Sequence, residues 1–279
     1  ENIDIGGPTM IRAAAKNFES VLVLVDPKDY EWVGERLISG DTITLRERRK
    51  LAAKAFQHVA YYDSVISSWF AQDSSPLDSF YFTPGLEKLD DLRYGENPHQ
   101  RGAVYADTLG TGGIVRSEQC HGLPMSYTNY LDAESAWTTV SDFDKSSCVV
   151  VKHTNPCGIS LNEHQPTAYE NAFQGDPVSA YGGIVSFNRV VTTDTAEAMR
   201  GVLFDIIVAP GYEEEALVIF KKRKRTRVLK VNVPKGPTEG ISFKSVSGGA
   251  LVQTANNIEE DPSHWRTVTD RVPSKSEIM

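Results

Sequence analysis

The pattern of apolar and polar positions alternates between short apolar runs and longer stretches of helical period. Residues 21–25, 148–151 and 204–210 form runs rich in β-branched residues, and such runs predict strands buried in a sheet. A glycine-led segment at residues 181–187 predicts a further strand, at which another backbone can approach closely. Only Asp205 interrupts the run at 204–210 with a charge, and its carboxylate needs a partner, a ligand or a loop contact.

Stretches of helical period separate these strands. A glycine turn places Pro8 at the first helical position of a helix that carries Arg12 and Lys16 on one face. Caps, stop signals and apolar stripes predict further helices over residues 27–38, 45–70, 130–140, 166–173, 195–200 and 212–222. The alternation indicates α/β layers on both sides of a domain boundary at residues 72–76.

Composition limits the classes of function. The chain has 279 residues, of which 40% are hydrophobic and 24% charged, and its formal net charge is −8. This charge disfavours a broad nucleic-acid surface but permits a local basic pocket for a small anion. No apolar stretch approaches about 18 residues and no signal peptide opens the chain, so we expect a cytoplasmic protein. The three cysteines are too few for a disulfide framework, and we expect them to be reduced.

Candidate chemistry concentrates at residues 148–158, where an apolar run delivers Lys152 and His153 into a turn that contains Asn155, Pro156 and Gly158. Ligands of open α/β sheets bind beyond the carboxyl ends of strands, so we expect a site here. A cationic lysine favours the neutral form of a neighbouring histidine, and neutral imidazole can accept a proton. In the alternative, His153 only bonds a loop carbonyl and Lys152 points into water. Consecutive strand residues face opposite sides, so the two share a site only if the backbone turns between them or just after.

A zinc site is the second hypothesis for this stretch. His153 followed by Pro156 and Cys157 is similar to the zinc deaminase signature, which also needs a glutamate and a second cysteine. Asn155 takes the glutamate position, and Ser160 stands three residues after Cys157. Because the ligand set is broken, we predict no zinc.

Three other segments offer polar groups. The glycine turn before the first helix is a plausible anion site, with a solvated basic face as the alternative. Arg93 and Tyr94 offer a planar fork, an aromatic face and a hydroxyl, although a plain turn fits this segment equally well. The basic run at residues 221–227 is interpreted as a solvated loop rather than a nucleic-acid contact.

Three motifs occur in order along the chain: IDIGG with RAAAKN from Ile3, RYGENPHQ from Arg93 and KHTNPCG from Lys152. Together they closely resemble the bifunctional purine biosynthesis family, which joins aminoimidazole carboxamide ribonucleotide (AICAR) formyltransferase to inosine monophosphate (IMP) cyclohydrolase. The resemblance implies that residues 1–75 are the tail of a methylglyoxal-synthase-like cyclohydrolase domain. Residues 76–279 are then the first part of a formyltransferase domain with cytidine-deaminase-like subdomains.

The resemblance also implies roles for single residues. In this family a formyl group moves from the co-substrate 10-formyltetrahydrofolate to the 5-amino group of AICAR, and ring closure with loss of water then gives IMP. By similarity His153 is the proton acceptor and Lys152 stabilises the developing charge. The ribonucleotide is held at positions matched by Arg93, Tyr94, Gly182 and Asp205. In the cyclohydrolase, Lys16 matches the catalytic lysine, and Asp4 and Ile5 match a nucleotide-contact segment.

The same resemblance sets expectations about partners and completeness. It implies a homodimer with a shared active site, small-molecule nucleotide substrates and no metal in the chemistry, with neither nucleic acid nor membrane as a partner. The chain starts at Glu1 rather than Met, and we expect a fragment that lacks both ends of the family's length and is incomplete for both activities. The competing hypothesis is a non-catalytic nucleotide-binding or assembly module that kept the fold.

Overall fold

The computed structural model describes residues 2–71, 74–232, 241–256 and 262–275. Their helices are α1 (Gly6–Lys16), α2 (Tyr30–Ser39), α3 (Leu45–Phe70), α4 (Tyr127–Ser141), α5 (Gln165–Gln174), α6 (Pro177–Ala180), α7 (Thr193–Ala198) and α8 (Glu214–Lys221). The strands are β1 (Leu86–Leu92), β2 (Gly102–Asp107), β3 (Glu118–His121), β4 (Ser147–Lys152), β5 (Asn155–Leu161), β6 (Gly183–Phe187), β7 (Phe204–Ala209), β8 (Arg227–Lys230), β9 (Ile241–Val246) and β10 (Gly249–Thr254). This confirms an α/β protein.

These elements fall into two compact units. One unit takes in the described residues up to 74 and those from 80 to 232. The other takes in residues 75–79 and the described residues beyond 240, where β9 and β10 pair as an antiparallel hairpin. Two residues of the predicted boundary, 72 and 73, lie outside the described residues.

The first three helices pack through small apolar clusters. The predicted capping box starts α3: the Thr44 hydroxyl accepts a hydrogen bond from the Glu47 amide, and the Glu47 carboxylate accepts one from the Thr44 amide. The buried residues of α3 lie between Leu51 and Val59, whereas Trp69 near its end is 54% exposed. The predicted apolar stripe therefore faces the core only as far as Val59.

The prediction of a strand at residues 21–25 is wrong. Leu22 and Leu24 pack on one apolar cluster, and Val23 and Val25 on another, so the segment does have the alternation of an extended chain. Within the described residues, however, no neighbouring strand forms a hydrogen-bonded ladder with it. An extended segment that packs between helices satisfies the same apolar pattern, and the pattern alone cannot supply a partner strand.

A mixed six-stranded sheet forms the centre of the first unit, with the order β3-β8-β7-β6-β4-β5. Strands β6, β7 and β8 run parallel, whereas β4 runs antiparallel to both of its neighbours. Helix α4 covers one face through Trp137 and Val140, and α5, α7 and α8 cover the other around Phe187, Phe204 and Phe220. Because both faces are covered, the central strands consist of nearly continuous apolar residues.

The direction of β4 decides which strand ends meet. Since β4 runs antiparallel to β6, its carboxyl end lies beside the amino ends of β6, β7 and β8. The candidate site predicted beyond the carboxyl end of β4 therefore lies beside the amino ends of the three parallel strands. We call this border of the sheet the site edge and define it by Lys152, His153, Gly182, Asp205 and Arg227.

The prediction of a solvated loop at residues 221–227 is wrong for part of the run. Thr226 and Arg227 are buried, with exposed fractions of 1% and 6%. The half-buried Arg223 guanidinium donates hydrogen bonds to the carbonyls of Met199 and Val202, just after α7. Carbonyls at the end of a helix lack partners within it. Arg223 therefore caps the carboxyl end of α7 through its hydrogen bond to the carbonyl of Met199.

No helix among the described residues has the length and apolar composition needed to cross a membrane.

Candidate functional site

The site edge is organised by a two-residue turn at the end of β4. Lys152 pairs with Asn155 across the hairpin, and His153 and Thr154 connect them with φ angles of 52° and 62°. Two positive φ values are the signature of a type I′ hairpin, which usually takes Asn-Gly. A histidine and a β-branched threonine in this region cost on the order of 1–3 kcal/mol each, and such strain persists only where surrounding contacts enforce it.

Four hydrogen bonds enforce this turn. From α4, the Asp132 carboxylate accepts a bond from the Thr154 amide at 2.8 Å, and the Ser135 hydroxyl donates to the Thr154 carbonyl at 2.8 Å. The Asn155 side-chain amide donates to the His153 carbonyl at 2.8 Å, and the Thr154 hydroxyl donates to that carbonyl at 2.7 Å. Because the turn starts at His153, Lys152 and His153 are not constrained to opposite faces of the strand.

Lys152 is held at the start of β6. Its ammonium donates a hydrogen bond to the carbonyl of Tyr181, and an ammonium has three donors, so others remain for a ligand. Next in sequence, Gly182 has a φ of 70°, and its amide donates to the Leu203 carbonyl at 2.8 Å. A Cβ atom at Gly182 would lie 3.7 Å from the Lys152 ammonium. A side chain here would therefore be in ordinary van der Waals contact with the cation, and the left-handed φ is what favours glycine.

Charged groups of the next strands continue the site edge. Asp205 is the exposed residue of the otherwise buried β7, and Arg227 starts β8. The Arg227 guanidinium donates from Nε and Nη2 to the Pro124 carbonyl, at 3.2 and 3.0 Å. Burial lowers the pKa of Arg227, the Asp205 carboxylate opposes that shift, and Arg93 adds to it.

Asp132 links the turn to β7 through charge. Burial raises the pKa of the Asp132 carboxyl, and the neighbouring Asp205 carboxylate raises it further. The hydrogen bond from the Thr154 amide and the charge of His153 act in the opposite direction. Asp132 therefore lies within electrostatic reach of His153 and Asp205 at once.

Arg93 and Tyr94 follow β1 and pack on each other. The Arg93 guanidinium lies 5.0 Å from the Tyr94 ring centre and donates to the Tyr94 hydroxyl at 3.1 Å. Both side chains influence the pKa of Arg227. The structure thus brings the predicted arginine and tyrosine into the electrostatic neighbourhood of the site edge.

The residues predicted for the cyclohydrolase lie at the two ends of α1. The helix starts at Gly6, so Pro8 is its third residue rather than its first, and Asp4 accepts a hydrogen bond from the Gly7 amide at 3.2 Å. Lys16 is the last residue of the helix, about 15 Å along the axis from its start. Asp4 and Ile5 therefore stand at one end of α1 and the backbone of Lys16 at the other.

The zinc hypothesis requires a cluster of metal-ligating side chains. Among the described residues, no group of three or more His, Cys, Asp or Glu side chains could hold a metal ion. Cys120, Cys148 and Cys157 are all free thiols. Burial raises the pKa of the Cys157 thiol, which follows the turn.

Sequence reasoning missed two residues of this neighbourhood, Asp132 and Arg227. Asp132 lies in a predicted helix outside every quoted motif, so only the fold reveals that it contacts the turn. Arg227 carries one signal in the sequence, because it directly precedes the apolar residues Val228 and Leu229 and begins β8 with them. The interpretation of the whole basic run as solvated does not use this signal.

Fold and site together define an α/β protein with a charged site at one edge of a mixed sheet. A family model described as the AICARFT/IMPCHase bienzyme matches residues 14–279. The chain therefore belongs to the AICARFT/IMPCHase bienzyme family, which confirms the resemblance seen in its motifs.

Curated relatives carry matching names. A bifunctional purine biosynthesis protein of Dictyostelium discoideum is 42% identical over 316 residues, covering 100% of this chain and 58% of the relative. Relatives with the same description from Persephonella marina and a Thermoanaerobacter strain are 44% and 42% identical, covering 100% of this chain and 55% and 54% of their own lengths. The chain spans about half the length of the curated relatives it matches.

Proposed function

We propose that the protein acts in the last two steps of de novo purine biosynthesis, as AICAR formyltransferase and IMP cyclohydrolase. The main support is the site edge. There an imidazole, an ammonium, a carboxylate and a buried guanidinium lie at neighbouring strand ends, together with a glycine. Membership of the bienzyme family and the names of the relatives support the assignment.

His153 and Lys152 are the proposed catalytic pair for formyl transfer. The amine of AICAR is a weak nucleophile because its lone pair is delocalised into the ring, so orientation and proton removal matter. The amine attacks the formyl carbon of 10-formyltetrahydrofolate and His153 accepts the amine proton. The bond from that carbon to the folate nitrogen then breaks, and the nitrogen takes up a proton as tetrahydrofolate leaves. The Lys152 ammonium stabilises the negative charge that develops on the formyl oxygen.

Arg93, Tyr94, Gly182 and Asp205 are the proposed contacts to the ribonucleotide. A guanidinium suits phosphate or carboxylate, a phenol ring suits a base or sugar face, and a carboxylate accepts from sugar hydroxyls or exocyclic amines. The coupling of Arg93 and Tyr94 to Arg227, and of Asp205 to Asp132, supports their convergence on one ligand.

Lys16 is the proposed catalytic lysine of ring closure, with Asp4 and Ile5 as nucleotide contacts. Closure joins the carboxamide nitrogen to the formyl carbon and releases water, so a group that moves protons is required. Asp4 and Lys16 stand at opposite ends of α1, so a nucleotide that touches both lies along the helix or the lysine side chain reaches back.

Further parts of the assignment rest on family membership. We propose a cyclohydrolase domain of methylglyoxal-synthase type over residues 1–75 and a formyltransferase domain with cytidine-deaminase-like subdomains over residues 76–279. We also propose a cytoplasmic homodimer with a shared active site, with folate as co-substrate and no metal in the chemistry.

Ribonucleotide binding tests the proposal directly. In isothermal titration of the protein with AICAR, we expect Lys152→Ala to weaken binding by about tenfold or more, because a charged hydrogen bond is lost. Lys145→Ala is the matched control, since this lysine is exposed just before the opposite end of β4. Absence of AICAR binding, or equal weakening by both variants, would overturn the proposed site.

The rate of formyl transfer separates catalysis from mere binding. In an enzyme of the relatives' full length that carries this chain, His153→Ala is expected to lower kcat by about 10²–10⁴-fold. An unchanged rate with intact AICAR binding would favour the non-catalytic nucleotide-binding module instead.

A further inference from the structure

The turn that carries His153 is held from outside its own hairpin by one helix. Asp132 and Ser135 are three residues apart on α4 and therefore share a face. The first accepts from the Thr154 amide and the second donates to the Thr154 carbonyl, each at 2.8 Å. The backbone amide and the backbone carbonyl of Thr154 are thus both hydrogen-bonded to α4.

This clamp fixes a conformation that the residues themselves disfavour. Among the described residues, His153 and Thr154 are the only ones other than glycine with positive φ. Released from α4, a histidine and a threonine would return to ordinary backbone angles, and the imidazole would point elsewhere. The site edge then loses the placement of its proton acceptor while the sheet stays intact.

Asp132 also carries a charge that the other clamp residue lacks. Its carboxylate bonds to the amide of the residue directly after His153, at 2.8 Å, and so lies near the imidazole. Its pKa also responds to the charges of His153 and of Asp205 on β7. A carboxylate near an imidazole favours the protonated ring that forms when a proton is accepted. Asparagine can replace the hydrogen bond of this carboxylate but not its charge.

We propose that Asp132 is a positioning residue that holds His153 in its left-handed turn and balances the charge of the imidazole once it has accepted a proton. The catalytic meaning of this role rests on the proposed formyl transfer, whereas the clamp itself does not. The two roles can be separated by substitution. Asp132→Asn keeps the hydrogen bond to the turn and removes the charge, and Asp132→Ala removes both.

The clamp is tested by NMR on the protein without any substrate. The Thr154 amide proton bonds directly to the carboxylate, so its chemical shift should follow the titration of Asp132. Burial raises the pKa of this carboxyl, and we expect a midpoint above the ordinary aspartate value of 3.8. In Asp132→Asn this titration should vanish while Thr154 keeps its slow hydrogen exchange, and in Asp132→Ala exchange should accelerate about tenfold or more.

Asp142→Asn provides the control, because this exposed aspartate lies just past α4. It should change neither the Thr154 shift titration nor the exchange rate. A Thr154 amide that does not titrate in the unmodified protein, or exchanges equally slowly in Asp132→Ala, would overturn the clamp whatever the enzymatic activity proves to be.

The charge role is tested by kinetics at the relatives' full length. Asp132→Asn should lower kcat for formyl transfer about tenfold or more and leave KM for AICAR within about twofold, since the turn stays in place. An unchanged kcat in Asp132→Asn would contradict charge balancing and leave only the clamp. If His153→Ala were equally without effect on kcat, the error would lie in the proposed function instead.

Discussion

Gly182 has a left-handed backbone and lies beside the Lys152 ammonium, and substitutions can separate these two properties. Its φ of 70° disfavours any side chain, and an added Cβ would stand 3.7 Å from the Lys152 ammonium. Gly201 has a φ of 83°, yet an added Cβ there would meet no atom within 4 Å. Alanine at either position should therefore cost about 1–2 kcal/mol of unfolding free energy in chemical denaturation. Only Gly182→Ala should also weaken AICAR binding in titration calorimetry, and equal affinity in both variants would remove this glycine from the site.

At the scale of single residues, the sequence identified chemistry better than geometry. Lys152 and His153 were predicted from an apolar run that ends on titratable groups, and the structure does place them at the end of β4. Consecutive strand residues face opposite sides, so the sequence left open whether the two could share a site. A His-Thr pair does not predict a turn with two positive φ values. That turn depends on Asp132 and Ser135, which lie about twenty residues earlier in sequence.

At the scale of elements, α3 depends on its first turn. Hydrogen bonds from the Thr44 amide and hydroxyl lower the pKa of Glu47 from its ordinary value of 4.5. Thr44→Ala should cost about 1 kcal/mol in urea denaturation at neutral pH, because the hydroxyl cap is lost. A carboxyl with a lowered folded pKa stabilises the protein above its unfolded pKa, and this contribution disappears as the pH falls through the folded value. The difference in unfolding free energy between Thr44→Ala and the unmodified protein should therefore become smaller below about pH 4.5. The exposed Thr42, two residues earlier, serves as the control, and an equal loss in Thr42→Ala would contradict the capping role.

Other elements show where local patterns stop. Caps and periodicity predicted α4, α5 and β7 with small shifts at their ends, since those signals are local. The extended residues 21–25 have the apolar alternation of a strand but no ladder, because strand formation needs a partner that no local pattern encodes. The direction of β4 likewise depends on its partner strand and not on its own sequence. Because β4 runs antiparallel to β6, the candidate site lies at one carboxyl end and several amino ends of strands.

At the scale of the whole molecule, the two proposed activities rest on separately packed cores. Lys16 lies on α1, which packs on α3 through Ala15, Ala52 and Ala55, whereas His153 follows a strand whose residues belong to the two clusters of the sheet. Distant sites without shared partners act independently, so each proposed catalytic residue should affect one reaction. In an enzyme of the relatives' full length, Lys16→Ala should slow ring closure to IMP about 10²-fold or more and leave formyl transfer within about twofold. Lys50→Ala on the exposed side of α3 is the control and should change neither rate. Loss of both reactions in Lys16→Ala would instead mean that one site serves both steps. The reason is that α1, which carries Lys16, packs on an apolar cluster separate from those of the sheet.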